Sequence, residues 1–277
     1  MSTATTGTRT AAGGRRRRPG LFGGRLLTVY TWAVIGWLCL PIAVMIVFGF
    51  NDTHGRFNNT WQGFTLKWYG RLFTIGDLTT ALLNSITIAL LTMVIAGGLG
   101  TLIGLALGRY RFRGQGTTNL VMFAAISSPE IVMGASLLSL FVNLGVPLGY
   151  WTILVSHVMF SLSFVAVTVR ARAMTLDPCL EEAARDLGAG AWTTFRLVTL
   201  PMIFPAVMAG SLLAFALSVD DFVITSFNAG GETTFPLWIW GATRVGLPPQ
   251  VNVMGTLIFM VGVLLATMNA LVARRRA

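Results

Sequence analysis

Three carboxylates lie within otherwise apolar stretches and are the residues best placed for chemistry with a cation. Glu130 follows Pro129, and Asp220 and Asp221 follow a long apolar run. A charged carboxylate at the bilayer centre costs about 2.5–3.5 kcal/mol on insertion scales, so it should face a cavity or a partner. No lysine or arginine lies within these stretches to pair with them. We therefore expect an acidic lining that receives a cation; the alternative, strongest for Asp221, is a hydrogen-bonded carboxylate at a helix end.

A charged loop between two apolar stretches carries a second pattern, one suited to docking a partner. Asp177 followed by Pro178 predicts a helix start, because the carboxylate can accept hydrogen bonds from the first backbone N–H groups. Gly188 predicts the end of that helix, and a second short helix is predicted over 192–198, before Pro201. A small apolar face of the first helix is formed by Leu180, Ala183, Ala184 and Leu187. The pattern alone fits an ordinary amphipathic loop equally well.

Apolar segments must position these residues, and each is close to the roughly 20 residues that a helix needs to cross a bilayer. The chain is 54% hydrophobic and 11% charged, whereas soluble domains carry about 25% charged residues. Gly100, Gly104 and Gly108 predict close contact between helices, within the subunit or with a partner. The sequence thus predicts an all-α integral membrane protein with six transmembrane helices, at about 26–50, 81–107, 118–142, 148–170, 202–227 and 250–273.

The net charge of +10 comes from basic residues at the edges of these segments, which the positive-inside rule explains better than nucleic-acid binding does. With the N-terminus inside, 16 basic residues are cytoplasmic: Arg9, Arg15, Arg16, Arg17, Arg18, Arg25, Arg109, Arg111, Arg113, Arg170, Arg172, Arg185, Arg196, Arg274, Arg275 and Arg276. The 4 outer ones are Arg56, Lys67, Arg71 and Arg244. This bias predicts cytoplasmic N- and C-termini and a cytoplasmic loop at 171–201. Residues 1–24 are predicted to be a disordered basic tail, and 25–277 the membrane domain.

What the sequence lacks argues against an enzyme. A phosphate-cradling P-loop needs Gly-Lys followed by Ser or Thr, and the only lysine, Lys67, follows Leu66. His54 and His157 lie in different segments and predict no metal site, so His157 is interpreted as a hydrogen-bonded packing residue. No nucleophile elbow of the G-x-S-x-G kind is present. We expect no catalytic chemistry within this chain.

The charged loop also matches a family signature: E-A-A, three residues, G, nine residues, I, one residue, L-P. The matching positions here are Glu182, Ala183, Ala184, Gly188, Val198, Leu200 and Pro201. The pattern resembles that of permease subunits of ATP-binding-cassette (ABC) importers, and Val198 in place of isoleucine is a conservative departure. In that family the loop is the coupling helix, which fits a groove in the ATPase subunit. The resemblance implies that the matching residues other than Val198 couple this chain to an ATPase.

Further stretches are similar to the permeases of spermidine/putrescine importers, over about 26–273: residues 64–69, 130–134, 218–227 and 234–237. This resemblance implies a type I ABC importer permease fold in the bacterial cytoplasmic (inner) membrane. The implied partners are a second homologous permease, a dimer of ATPase subunits, an extracytoplasmic substrate-binding protein and membrane lipid. ATP and magnesium would be bound by the partner ATPase, with no cofactor in this chain.

The implied cargo is a polyamine, whose spaced ammonium groups need several separated acceptors. By position, Asp220 would help to line the route, and Trp238 and Trp240 could add cation–π contacts. Another cargo, such as thiamine, iron or a phosphonate compound, is an alternative within the same family. A secondary transporter is a second alternative and would often show broken helices in two corresponding halves. We identify no such paired interruption in the sequence.

Overall fold

The computed structural model describes residues 21–55 and 57–275. These residues form no β-strand, and an isolated bridge pairs Asn51 with Phe64. The helices, in chain order, are α1 (Leu21–Phe48), α2 (Lys67–Gly70), α3 (Gly76–Arg109), α4 (Gln115–Ser127), α5 (Glu130–Asn143), α6 (Tyr150–Ala173), α7 (Cys179–Asp186), α8 (Ala191–Thr194), α9 (Leu200–Asp220), α10 (Val223–Asn228), α11 (Phe235–Ala242) and α12 (Pro249–Arg275). A π-turn, Phe195–Thr199, joins α8 to α9.

The chain divides into one unit that ends at Met45 and another that begins at Ile46. The described part of the first unit belongs to α1, a helix in which Arg25–Phe48 contains an 18-residue stretch with a mean hydropathy of 2.2. These 24 residues are long enough to cross a bilayer. α1 begins at Leu21, slightly before the predicted end of the basic tail, and residues 1–20 of that tail lie outside the described residues.

Three long helices, α3, α6 and α9, pack against one another in the core of the second unit. Glycines bring α3 close to α6. A Cβ on Gly104 would lie 2.5 Å from the carbonyl oxygen of Ala166, and one on Gly100 would lie 2.7 Å from Cβ of Val165. Gly108 lies against α6 in the same way. The predicted close contact at these glycines is therefore confirmed, and the helix that they contact is α6 of the same subunit.

Within residues 21–55 and 57–275, four helices are long and apolar enough to cross a membrane: Arg25–Phe48, Gly76–Arg109, Tyr150–Ala173 and Ala191–Asp220. α4 and α5, which are bent by 110° relative to each other, make a fifth if the pair counts as one span. Pro249–Leu264 of α12 is a shorter apolar helix. The described residues thus form an all-helical chain with four or five candidate membrane spans.

The segment predicted as one helix over 118–142 is broken at Ser128 and Pro129. Proline has no N–H to donate to the preceding turn and disfavours helical geometry in the residue before it. Ser128 is accordingly extended, with φ −73° and ψ 133°. The expectation of one continuous third span is therefore wrong, and Glu130 stands at the start of α5 rather than inside a helix.

The segment predicted over 202–227 begins earlier and ends earlier. α8 and the π-turn run without interruption into α9, so the separate short helix predicted over 192–198 is wrong. The π-turn changes the hydrogen-bond register just before Pro201, which cannot donate. At the other end, α9 stops at Asp220 and Asp221 is extended, with ψ 118°. α10 is therefore a separate short helix.

Candidate translocation route and coupling loop

The two helix breaks lie close together, because α5 packs against α10. Nδ2 of Asn228 in α10 donates a hydrogen bond to the carbonyl oxygen of Gly134 in α5 (3.3 Å). A Cβ on Gly134 would lie 2.8 Å from the ring of Phe227, so only glycine leaves room for this contact. Both segments are predicted from the sequence as continuous helices, whereas the structure breaks both. Both breaks fall within long apolar stretches, so a hydropathy average over the stretch does not reveal them.

Asp220 and Glu130 stand at the two breaks, and both residues are exposed. Glu130 is the first residue of α5, and Asp220 is the last residue of α9. The carboxylate of Asp220 is close enough to those of Glu130 and Asp221 to interact with them electrostatically. Within residues 21–55 and 57–275, neither Asp220 nor Glu130 forms an ion pair. The structure thus brings two exposed carboxylates to one region.

Asp221 has different surroundings, and its side chain is 4% exposed. Its Oδ1 accepts hydrogen bonds from the backbone N–H of Thr225 (2.8 Å) and from the hydroxyl of the same residue (3.0 Å). His157 Nε2 lies 3.4 Å from this oxygen and 2.9 Å from the Thr225 hydroxyl. His157 Nδ1 lies 2.7 Å from the hydroxyl of Ser218. Asp221 is thus a hydrogen-bonded carboxylate at a helix end, and the interpretation of His157 as a hydrogen-bonded packing residue is confirmed.

An open groove of about 570 Å³ is lined by Asp220 and by apolar and aromatic side chains. Phe222 and Trp240 pack in its wall with ring centroids 5.2 Å apart. Trp240 is 55% exposed, which leaves part of its indole uncovered. A carboxylate and an uncovered indole on one groove can bind an organic ammonium group by ion pairing and by cation–π contact. Trp238 lines a separate cavity.

α7 is the helix predicted from the charged loop. Oδ1 of Asp177 accepts a hydrogen bond from the backbone N–H of Cys179 (3.0 Å). This bond holds the pKa of Asp177 below its usual value. Gly188 adopts φ +85°, and its N–H donates to the carbonyl of Arg185 (2.8 Å) to close the helix end. The predicted helix start and the predicted glycine stop are both confirmed.

The residues of the coupling signature occupy two places. Four are on α7 or just after it, and two are at the start of α9: Glu182, Ala183, Ala184 and Gly188, then Leu200 and Pro201. No residue of α7 is buried, and Leu187 is 90% exposed. Leu200, by contrast, packs against the core of α3, α6 and α9. Glu181, beside the signature, pairs with Arg109, a long-range contact that no pattern in the sequence indicated.

Comparisons with known proteins decide the family. Residues 100–276 match the family described as the binding-protein-dependent transport system inner membrane component. The chain belongs to this family. One relative is the spermidine/putrescine transport system permease protein PotC of Escherichia coli (strain K12), 42% identical over 253 residues, 91% of this chain and 95% of the relative. Another is the putrescine transport system permease protein PotI of the same strain, 38% identical over 230 residues, 80% of this chain and 81% of the relative.

Solved structures of ABC transporters share the fold of this permease. A chain of a bacterial ABC transporter involved in the import of the acidic polysaccharide alginate has a TM-score of 0.64 and 18% identity, over 91% of this chain and 95% of that one. A chain of the MetNI methionine ABC transporter in an inward-facing conformation has a TM-score of 0.56 and 18% identity, over 73% of this chain and 99% of that one. At such low identity the likeness concerns the fold alone.

Family membership confirms the resemblance found in the sequence. Permease subunits of this family carry no catalytic function of their own, so the chain is not an enzyme. The family is an inner membrane component, in agreement with the apolar helices of the structure.

Proposed function

We propose that this chain is the permease subunit of an ATP-driven importer that moves a polyamine, such as putrescine or spermidine, into the cytoplasm. The observation that carries the proposal is the pair of exposed carboxylates, Asp220 and Glu130, at adjacent helix breaks, with Asp220 on an aromatic groove. PotC and PotI, which are named for spermidine and putrescine transport, support it by their identity over 91% and 80% of this chain.

The charges of these residues fit such a cargo. A polyamine carries several ammonium groups along a flexible chain, so it gains most from acceptors that are separated in space. Glu130 and Asp220 supply two exposed carboxylates, and Asp221 adds negative charge from the buried side of the break. We assign these three residues to the substrate path, with Asp221 acting through its field rather than through direct contact. Trp240 adds an uncovered aromatic face beside Asp220.

α7 is proposed as the helix that docks on the ATPase. It is short, it buries none of its residues, and Leu187 and Trp192 beside it are 90% and 70% exposed. Glu182, Ala183 and Ala184 would form the contact, and Gly188 would turn the chain away after it. Leu200 and Pro201 would fix the loop to the membrane helix that follows.

The proposed assembly contains a second homologous permease, a dimer of ATPase subunits that bind ATP and magnesium, and an extracytoplasmic substrate-binding protein. This chain itself would hold no cofactor and no nucleic acid, and its apolar helices would contact membrane lipid. The count of 16 basic residues against 4 supports cytoplasmic N- and C-termini in the bacterial inner membrane. We propose six spans in residues 25–277, with α4 and α5 together crossing once and α12 crossing last, after a basic tail at 1–24.

Transport is proposed to proceed by alternating access. ATP binding would close the ATPase dimer, bring the two coupling loops together and open the permease pair toward the binding protein. Hydrolysis and release of products would reverse the movement. The coupling loop must bind one ATPase state more tightly than the other, because a ligand without differential affinity shifts no equilibrium.

The proposal is tested by uptake of radiolabelled putrescine and spermidine in cells that lack this chain, with and without the chain restored. ATP-dependent uptake that returns with the chain supports both the class of transporter and the cargo. Unchanged uptake of both polyamines, with the chain inserted at normal abundance and its ATPase subunit bound, would rule out the polyamine cargo.

A further inference from the structure

Glu181, the residue before the E-A-A signature, is held by two other elements. Its Oε1 lies 2.9 Å from a guanidinium nitrogen of Arg109 at the end of α3. The same oxygen accepts a hydrogen bond from the hydroxyl of Thr199 in the π-turn (2.9 Å). Arg109 also donates to the carbonyl of Leu176, between α6 and α7 (3.0 Å). One carboxylate oxygen therefore joins α7 to α3 and to the segment that begins α9.

The ion pair between Arg109 and Glu181 is largely shielded from solvent, although α7 itself is a surface helix. The helix buries none of its residues, and it packs mainly on α8 and the π-turn. The side chains of Arg109 and Glu181, however, are only 10% and 19% exposed. Attraction between charges grows as water is excluded, and removing one member leaves the other poorly solvated and unpaired. The pair is therefore suited to hold two elements in one fixed arrangement.

We propose that Arg109 and Glu181, with Thr199, are positioning residues that transmit movement of α7 to the membrane helices α3 and α9. The proposal rests on the proposed role of α7 as the ATPase-docking helix. Movement of α7 can reach α9 along the chain, but that path passes through the π-turn, which is an irregular helical turn. The hydrogen bond between Glu181 and Thr199 connects α7 directly to this turn. α3 is far from α7 in the sequence, so movement must reach it through side-chain contacts such as the Arg109–Glu181 ion pair.

A broken link has a specific consequence. The docking surface of α7 should remain intact in such variants. Glu181 is not part of the signature, and its Oε1 contacts Arg109 and Thr199 within this chain. The ATPase should therefore still bind this permease and hydrolyse ATP. Movement of the coupling loop, however, should displace α3 and α9 less than in the wild type. The quantity that falls is the amount of solute transported per ATP hydrolysed.

The experiment uses the complete transporter, which is purified by capturing this permease together with its bound partners. The transporter is then reconstituted in proteoliposomes, with spermidine as the solute. The variants are Glu181→Gln, Arg109→Met, their double combination, and Arg109→Lys, which keeps the positive charge. Asp77→Asn is the control, since it removes one exposed carboxylate from α3, away from the docking helix, at a residue with no ion pair in the described part of the chain. Uptake, ATP hydrolysis and the amount of co-purified ATPase are measured together.

We expect each single loss variant to lower the ratio of spermidine to ATP by about five-fold or more, the lower end of typical coupling between sites. The double variant should be no worse than either single one, because both remove the same contact. Arg109→Lys should recover part of the ratio, and Asp77→Asn should match the wild type.

Two results would overturn the inference. One is an unchanged ratio in the loss variants with the ATPase bound at its normal level. The other is loss of the ATPase from these variants, which would make the pair a support for the docking surface rather than a transmitting link. Failure of the wild-type chain to co-purify with any ATPase would instead contradict the proposed function itself.

Discussion

His157 and Asp221 meet in a buried contact at the second helix break, with Nε2 and Oδ1 3.4 Å apart. His157 belongs to α6, and Asp221 follows the last residue of α9. The same imidazole reaches Ser218 before the break and Thr225 after it. Because one side chain holds both sides of the break, the placement of the exposed Asp220 depends on α6 as well as on its own helix.

His157→Ala is expected to destabilise the protein by leaving these buried polar groups without their partner. Each buried group that loses its hydrogen bond costs about 1–3 kcal/mol. The midpoint of thermal unfolding in detergent should therefore fall. His54→Ala is the control, because His54 is exposed. Equal unfolding midpoints for the two variants would contradict a supporting role for His157.

Asp220→Asn is expected to weaken uptake of polycations while leaving the ATPase bound. Contacts to a charged group contribute about 1.5–3 kcal/mol, so the KM for spermidine should rise by roughly ten-fold or more. The measurement is the concentration dependence of uptake beside the amount of co-purified ATPase. An unchanged KM would remove Asp220 from the route.

The sequence was informative where the controlling residues are neighbours along the chain. Asp177 and Gly188 act on the helix between them through local hydrogen bonds, and the structure shows both ends of α7 near the predicted places. Composition was likewise sufficient to predict that the chain is an integral membrane protein. Glycine spacing on α3 predicted close packing, although it left open whether the neighbour was internal.

The two helix breaks were missed because hydropathy averages over many residues. Pro129 was a signal for the first break, since a proline disfavours helix in the residue before it. The second break lies at Asp221, whose backbone is extended and whose carboxylate accepts a hydrogen bond from the backbone N–H of Thr225 in the first turn of α10. The contacts of Asp221 with His157 and of Glu181 with Arg109 join residues far apart in sequence, and they follow only from tertiary packing.

The reactivity of Cys179 should depend on Asp177. A hydrogen bond between the thiol and the Asp177 carboxylate raises the pKa of Cys179 above its usual value. The thiolate is the reactive form, so alkylation by a maleimide should require a higher pH than for an ordinary thiol. Asp177→Asn removes the negative charge but still caps α7, and the pH profile of alkylation should move to lower pH. A Cys39→Ser background leaves Cys179 as the only thiol, and coincident profiles would contradict the assigned hydrogen bond.

Gly188→Val is expected to abolish transport without preventing membrane insertion. Gly188 has φ +85°, a conformation that costs an ordinary L-residue about 1–2 kcal/mol. The chain should escape this cost by unwinding the end of α7, which would displace Glu182 and its neighbours from the docking surface. Gly190→Ala is the matched control, because Gly190 has φ −69° and no atom within 4 Å of an added Cβ. We expect the ATPase to co-purify with Gly190→Ala and not with Gly188→Val. Normal uptake by Gly188→Val at normal abundance would show that the shape of this loop end has no part in coupling.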